Sequence, residues 1–175
     1  SDGLLQVEYR RLTGRQGPGA GRPAKLYRRA DRQFDVSLPP RDYELAGRIL
    51  AKAVDEARVS GVDVDTSLQN TCEREGRGVA ARILASLRRG AGSRAKQTAL
   101  LNALADLGYE PAVVDGGTVV LRNCPFHQLA QDHTELVCGM NLCLLDAAVT
   151  ELDAGLEARL EPQQGFCCVR FSPGG

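Results

Sequence analysis

YEPAVVDGGTVVLRN, residues 109–123, places two short apolar runs on either side of Asp115-Gly116-Gly117. Asp-Gly and Gly-Gly are the pairs that a tight β-hairpin needs, because the central positions of its turn take positive φ. The stretch therefore predicts two antiparallel strands. Upstream, SRAKQTALLNALADLG (93–108) predicts a helix with Ser93 as N-cap and Gly108 as stop. Downstream, CPFHQLAQDH (124–133) predicts a short helix with Pro125 in its first turn, and TELVCGMNLCLLDAAVTELD (134–153) a longer one. GLEARLEP (155–162) and GFCCVRF (165–171) close the chain as two strands. Residues 93–175 thus run α-ββ-αα-ββ, an α+β domain with an antiparallel sheet.

Working back from there, residues 41–61 put Tyr43, Ala46, Ile49, Leu50, Ala53, Val54 and Ala57 on one helical stripe. Residues 62–90 predict a second helix region, weakened by Gly76 and Gly78. Leu45, Ile49, Leu50, Val54 and Val59 exceed what one packing face requires, so the first of these helices is expected to help form a homodimer. The chain is read as three parts: 1–36, 37–92 as a helical linker and dimerisation region, and 93–175 as a cysteine-containing sensor domain.

The first part differs from the rest in charge. Residues 1–32 hold eight Arg or Lys against three acidic residues, while the remaining 143 residues carry a net charge of −5, so that the whole sums to zero. That asymmetry suggests a polyanionic partner for the first segment. Its LLQVEYRRL (4–12) alternates apolar and polar residues, with Leu5, Val7 and Tyr9 on one face, and AKLYRRA (24–30) returns as a second strand. Between them GRQGPGAGRP (14–23) is a basic, glycine-rich tip. An isolated hairpin is marginal in water, so this one is expected to pack on something.

With 43% hydrophobic and 25% charged residues the chain can bury a core without disulfides. It holds no run of about 18 apolar residues and no signal-peptide pattern, so a cytoplasmic location with no membrane partner is expected. There is no Gly-rich phosphate loop between a strand and a helix and no Ser nucleophile elbow, which argues against an enzyme. In such a chain six cysteines point to thiols or metal ligands.

Three of those cysteines and both histidines fall in residues 123–143. Cys124 stands where a strand passes into a helix. Cys138 shares its stripe with Leu142, Leu145, Val149 and Leu152 and so faces the interior. Cys143 lies about 140° round the helix from Cys138 and is not expected to share its site. Cys167 and Cys168, adjacent on a strand, should face opposite sides, so that one of the two joins Cys124 and Cys138 unless the strand bulges. Soft thiolates suit an iron–sulfur cluster or zinc, with His127 as fourth ligand in the zinc case. The plain alternative is a set of small buried hydrophobes. Cys72 is read as isolated and structural.

DGLLQVEYRRLTGRQGPGAGRPAKLYRRA (2–30), and GRPAKLYR above all, resembles the end of the recognition helix and the wing of ArsR-like winged helix-turn-helix regulators. The order wing, helical linker, NCPF…LVCGMN…CCV resembles regulators of the SufR type, which repress iron–sulfur-cluster assembly genes, and their actinobacterial relatives. The likeness spans nearly the whole chain, apart from the helices that precede the wing. It implies a homodimeric repressor of double-stranded DNA, with Arg10, Arg11, Arg15, Gln16, Arg22 and Lys25 as DNA contacts. It also implies a cluster on Cys124, Cys138 and Cys167 or Cys168. Three cysteines leave one iron open to His127, a partner or solvent, so protein prepared in air is expected to hold zinc or an empty site. A metal-free thiol switch and a small-molecule-binding regulator domain stand as the alternatives.

Overall fold

A computed structural model describes residues 5–10, 22–30 and 37–174. The chain divides into two compact units, Ser1–Val36 and Ser37–Gly175. In the smaller, β1 (Leu5–Arg10) and β2 (Ala24–Arg29) pair antiparallel, with Leu5 opposite Arg29 and Arg10 opposite Ala24. Directly opposed residues share a face. Leu5, Val7 and Tyr9 therefore lie with Lys25 and Tyr27, all of them exposed. The Lys25 ammonium sits 5.1 Å from the Tyr27 ring centroid, and Tyr27 holds its pKa above the ordinary lysine value.

In the larger unit each helix starts and stops where local chemistry dictates. Asp42 accepts from the Leu45 amide at 2.8 Å and caps α1 (Tyr43–Ser60), and Gly61, at φ 72°, ends it. Asp63 accepts from both the amide and the hydroxyl of Thr66 and caps α2 (Val64–Ser86). α2 runs straight through Gly76 and Gly78, the two glycines expected to weaken it. A Cβ at Gly76 would collide with the Leu144 carbonyl oxygen of α5 (Thr134–Leu152). The glycine that weakens the isolated helix is the one that lets two helices meet closely.

The cap of α3 (Ser93–Asp106) is Gly92 rather than Ser93, and Gly108, at φ 85°, stops it as expected. Then come β3 (Pro111–Val113), a single turn of Asp115–Gly117 with both glycines at positive φ, and β4 (Val119–Leu121). They are followed by α4 (His127–Asp132), α5, β5 (Leu156–Leu160) and β6 (Val169–Pro173). Residues 93–174 accordingly show the order α-ββ-αα-ββ. The four strands form one antiparallel sheet in the order β3-β4-β6-β5.

α5 is the central element, packed against α2, α4, β5 and β6, with α1 covering α2. Cys72, Leu144, Leu145, Val149, Leu152, Val169 and Phe171 belong to a core that also takes in Leu45, Ile49 and Ala53 of α1. The 37–92 segment thus shares one core with 93–174. Leu45 and Ile49, read as surplus apolar residues, are core; Val54 and Val59 remain exposed. Lys52–Glu75 and Arg74–Glu56 tie α1 to α2 at the surface, where such pairs contribute about 0–1 kcal/mol each. Among the described residues no helix is long and apolar enough to cross a membrane.

Candidate functional site

The β3–β4 ladder continues past its strands. The Arg122 amide donates to the Glu110 carbonyl and the Asn123 amide to the Tyr109 carbonyl, both at 3.1 Å. At Asn123 the chain turns out of the sheet. Its side-chain amide donates to the carbonyls of Pro40 (2.8 Å) and Gly108, and its Oδ1 accepts from the Arg41 guanidinium. Arg41 also donates to the Cys124 carbonyl at 3.2 Å. Cys124 is thereby fixed at the head of the turn into α4, three residues before that helix begins.

The other end of the site comes from the approach to β6. Val119 lies opposite Phe171, so continued register would set Leu121 opposite Val169. Instead the Leu121 carbonyl accepts from the Cys167 amide at 2.8 Å, while the Cys168 carbonyl accepts from the Glu161 amide at 2.8 Å. The extra residues bulge the chain before β6. Cys167 and Cys168 are therefore not strand residues with opposed side chains, and both turn to one cavity.

That cavity, about 380 Å³, is lined by Cys124, Cys138, Cys167 and Cys168 together with His127 and Phe166. The four thiols neighbour one another in the series Cys124, Cys167, Cys168, Cys138. All are free and at least nine-tenths buried. Cys167 as hydrogen-bond donor holds the Cys124 thiol below the ordinary range. In return Cys167 is pushed up to about 12. Burial, with Cys168 beside it, pushes Cys138 up to about 12. Cys168 is raised further, chiefly by Cys167. Cys124 is thus the one thiol of the four made more acidic, while the other three are made less so.

Asn141 closes the site from below and was not singled out from the sequence. It is fully buried on α5, three residues after Cys138. Its amide donates to Cys167 Sγ at 3.2 Å, and its Oδ1 accepts from the Tyr109 hydroxyl at 2.6 Å. Tyr109 in turn stacks edge-on against Phe126, with centroids 6.4 Å apart, and its burial raises the phenol pKa. The signal was a lone polar residue on the apolar side of α5. His127 stands at the exposed rim, its Nε2 3.2 Å from the Gln131 amide.

The remaining predicted residues fall elsewhere. Cys143 faces α2, away from the cavity, where its Sγ donates to the Gln69 carbonyl, but Cys72 is not isolated: it lines one pocket with Cys143. Arg10 and Lys25 lie on opposite faces of the β1–β2 hairpin, and exposed Arg22 just precedes β2. Arg11, Arg15 and Gln16 lie outside the described residues.

Among the described residues no group of three or more His, Cys, Asp or Glu side chains is arranged to hold a metal ion. In donor chemistry, though, the cavity fits a thiophilic group: four soft sulfurs, one of them inclined to ionise. Comparisons with protein-family models, with curated proteins and with solved structures return no match for this chain.

Proposed function

We propose that the chain acts in a cytoplasmic, homodimeric DNA-binding repressor as wing, dimerisation region and sensor, and not as an enzyme. In this reading its sensor ligand is an iron–sulfur cluster. The observation that carries the proposal is the meeting of four cysteines from three separate segments in one cavity. Cys124, Cys138, Cys167 and Cys168 would hold the group, with His127 at the rim. When bound, a cluster supplies oxidant-sensitive, iron-dependent chemistry. A cluster suits this donor set better than zinc. A lone zinc ion needs four donors about 2.0–2.3 Å from one point, whereas a cluster spreads its cysteines over several irons. The chain's own part is to position the sulfurs. Asn141 orients Cys167, and the Asn123–Arg41 network fixes the backbone at Cys124.

The resemblance of residues 2–30 to a wing, together with the basic charge of that segment, supports the DNA partner. A second reading, a metal-free thiol switch, is favoured by one observation. The Cys124 sulfur, inclined to ionise, lies beside Cys167 and could close a disulfide with it.

The deciding experiment is the absorbance spectrum of anaerobically prepared protein with its iron, sulfide and zinc content. Iron and sulfide are expected, lost in Cys124→Ser and Cys138→Ser but kept in Cys72→Ser and Cys143→Ser. Anaerobic wild type without iron and sulfide would overturn the cluster reading, and the absence of zinc as well would move the thiol switch ahead. A Cys143→Ser variant as empty as Cys138→Ser would overturn the ligand assignment.

A further inference from the structure

We propose that Cys72 and Cys143 form a second thiol site, a dithiol that peroxide closes to a disulfide between α2 and α5. It is separate from the four-cysteine cavity and does not depend on what that cavity holds.

Gly76 brings α2 and α5 so close that a Cβ there would collide with the Leu144 carbonyl and crowd Ala147. One helical turn earlier on each element stand Cys72 and Cys143. Both line a pocket of about 290 Å³ with Leu68, Gln69, Gly139 and Met140. Cys143 Sγ donates at 3.5 Å to the carbonyl of Gln69, three residues before Cys72 on α2. The pair is asymmetric. Cys72 is fully buried, whereas Cys143 is partly exposed and borders a second surface pocket as well. Cys72 holds the Cys143 pKa below the ordinary thiol range, and its own is raised. An accessible sulfur inclined to ionise, backed by a buried partner, is the arrangement of an attacking and a resolving thiol.

The oxidant is hydrogen peroxide. The Cys143 thiolate attacks one peroxide oxygen, the O–O bond breaks, and the departing hydroxide takes a proton to leave as water. Cys143 is then a sulfenic acid. The Cys72 sulfur attacks it, the S–O bond breaks as the S–S bond forms, and the Cys72 proton leaves with the hydroxide as a second water. Two thiols and one peroxide give one disulfide and two waters.

Anaerobically prepared wild-type protein is titrated with peroxide, quenched, alkylated and digested. Trypsin releases Cys72 in residues 59–74 and Cys167 with Cys168 in 160–170, but leaves Cys124, Cys138 and Cys143 together in 123–159. Cyanogen bromide at Met140, the sole methionine, then frees Cys143 in residues 141–159. The expected product is 59–74 joined to 141–159 with the loss of two hydrogens. In Cys72→Ser, dimedone is expected to trap a sulfenic acid on Cys143. Recovery of either Cys72 or Cys143 in alkylated form across the titration overturns the proposal, whatever happens at Cys124, Cys138, Cys167 and Cys168. Because the product is read in unsubstituted protein, a variant that fails to fold does not blur the result.

Discussion

Asn141 shows what a single side chain does here. It is the one amide that both touches a cavity sulfur and receives the Tyr109 hydroxyl. In Tyr109→Phe its Oδ1 would lose that donor inside a fully buried environment. A buried acceptor left unpaired costs about 1–3 kcal/mol. The variant is therefore expected to unfold at lower urea than wild type with an unchanged slope, and an unshifted midpoint would refute the role. The cysteines themselves were legible by type and helical position, and Cys138 faces inward as its stripe required. The joint use of Cys167 and Cys168 was not. Period-two alternation assigns adjacent residues to opposite faces, and only the departure from register at Leu121 turns both to one side. A bulge leaves no mark in the residue types that flank it. Proximity of Cys72 to Cys143 was hidden for another reason: the two residues are 71 positions apart and meet only through the way α2 and α5 are set side by side.

Elements were far easier to read than contacts. The Asp-Gly-Gly turn and Gly108 act locally, so sequence alone locates them to within a residue or two, whereas the capping aspartates Asp42 and Asp63 were not singled out. Gly76 misleads because propensity counts it against α2, whereas its value lies in the approach of α5. Gly76→Ala tests that account. Helix propensity would favour alanine by about 1 kcal/mol, but overpacking a filled contact costs about 1–3 kcal/mol or more. Net destabilisation is expected in thermal or urea unfolding. Gly78→Ala, where a Cβ would meet nothing nearer than 3.7 Å, is expected to be neutral or stabilising. If both substitutions stabilise equally, α2 and α5 do not meet as described.

For the whole molecule, the proposed regulator makes two demands. Neutralising Arg15 and Arg22 together should weaken binding to every duplex sequence and lower the salt slope by roughly 1–2 units, since each phosphate contact contributes about 0.9. A salt titration on duplex DNA with an unchanged slope would remove the wing from the interface. A two-fold operator also needs a dimer. We propose that the exposed apolar residues of α1, Val54 and Val59, contribute to its interface. Light scattering at micromolar concentration should give twice the 18.8 kDa chain mass, and a monomer mass would contradict the assignment.

The polypeptide enters the larger unit at residue 37 and is fastened almost at once. Pro40 accepts from Asn123, Arg41 donates to the Cys124 carbonyl, and the Asp42 amide donates to the Pro125 carbonyl at 3.1 Å. The only covalent route from the smaller unit is thus clamped to the backbone that carries the first cavity cysteine. Such an attachment is subject to reciprocity. Whatever factor ligand binding at Cys124 imposes on the free energy of the entry segment, restraint of that segment imposes the same factor on the ligand's affinity. The clamp thus ties residues 40–42 and Cys124 into one reciprocal pair.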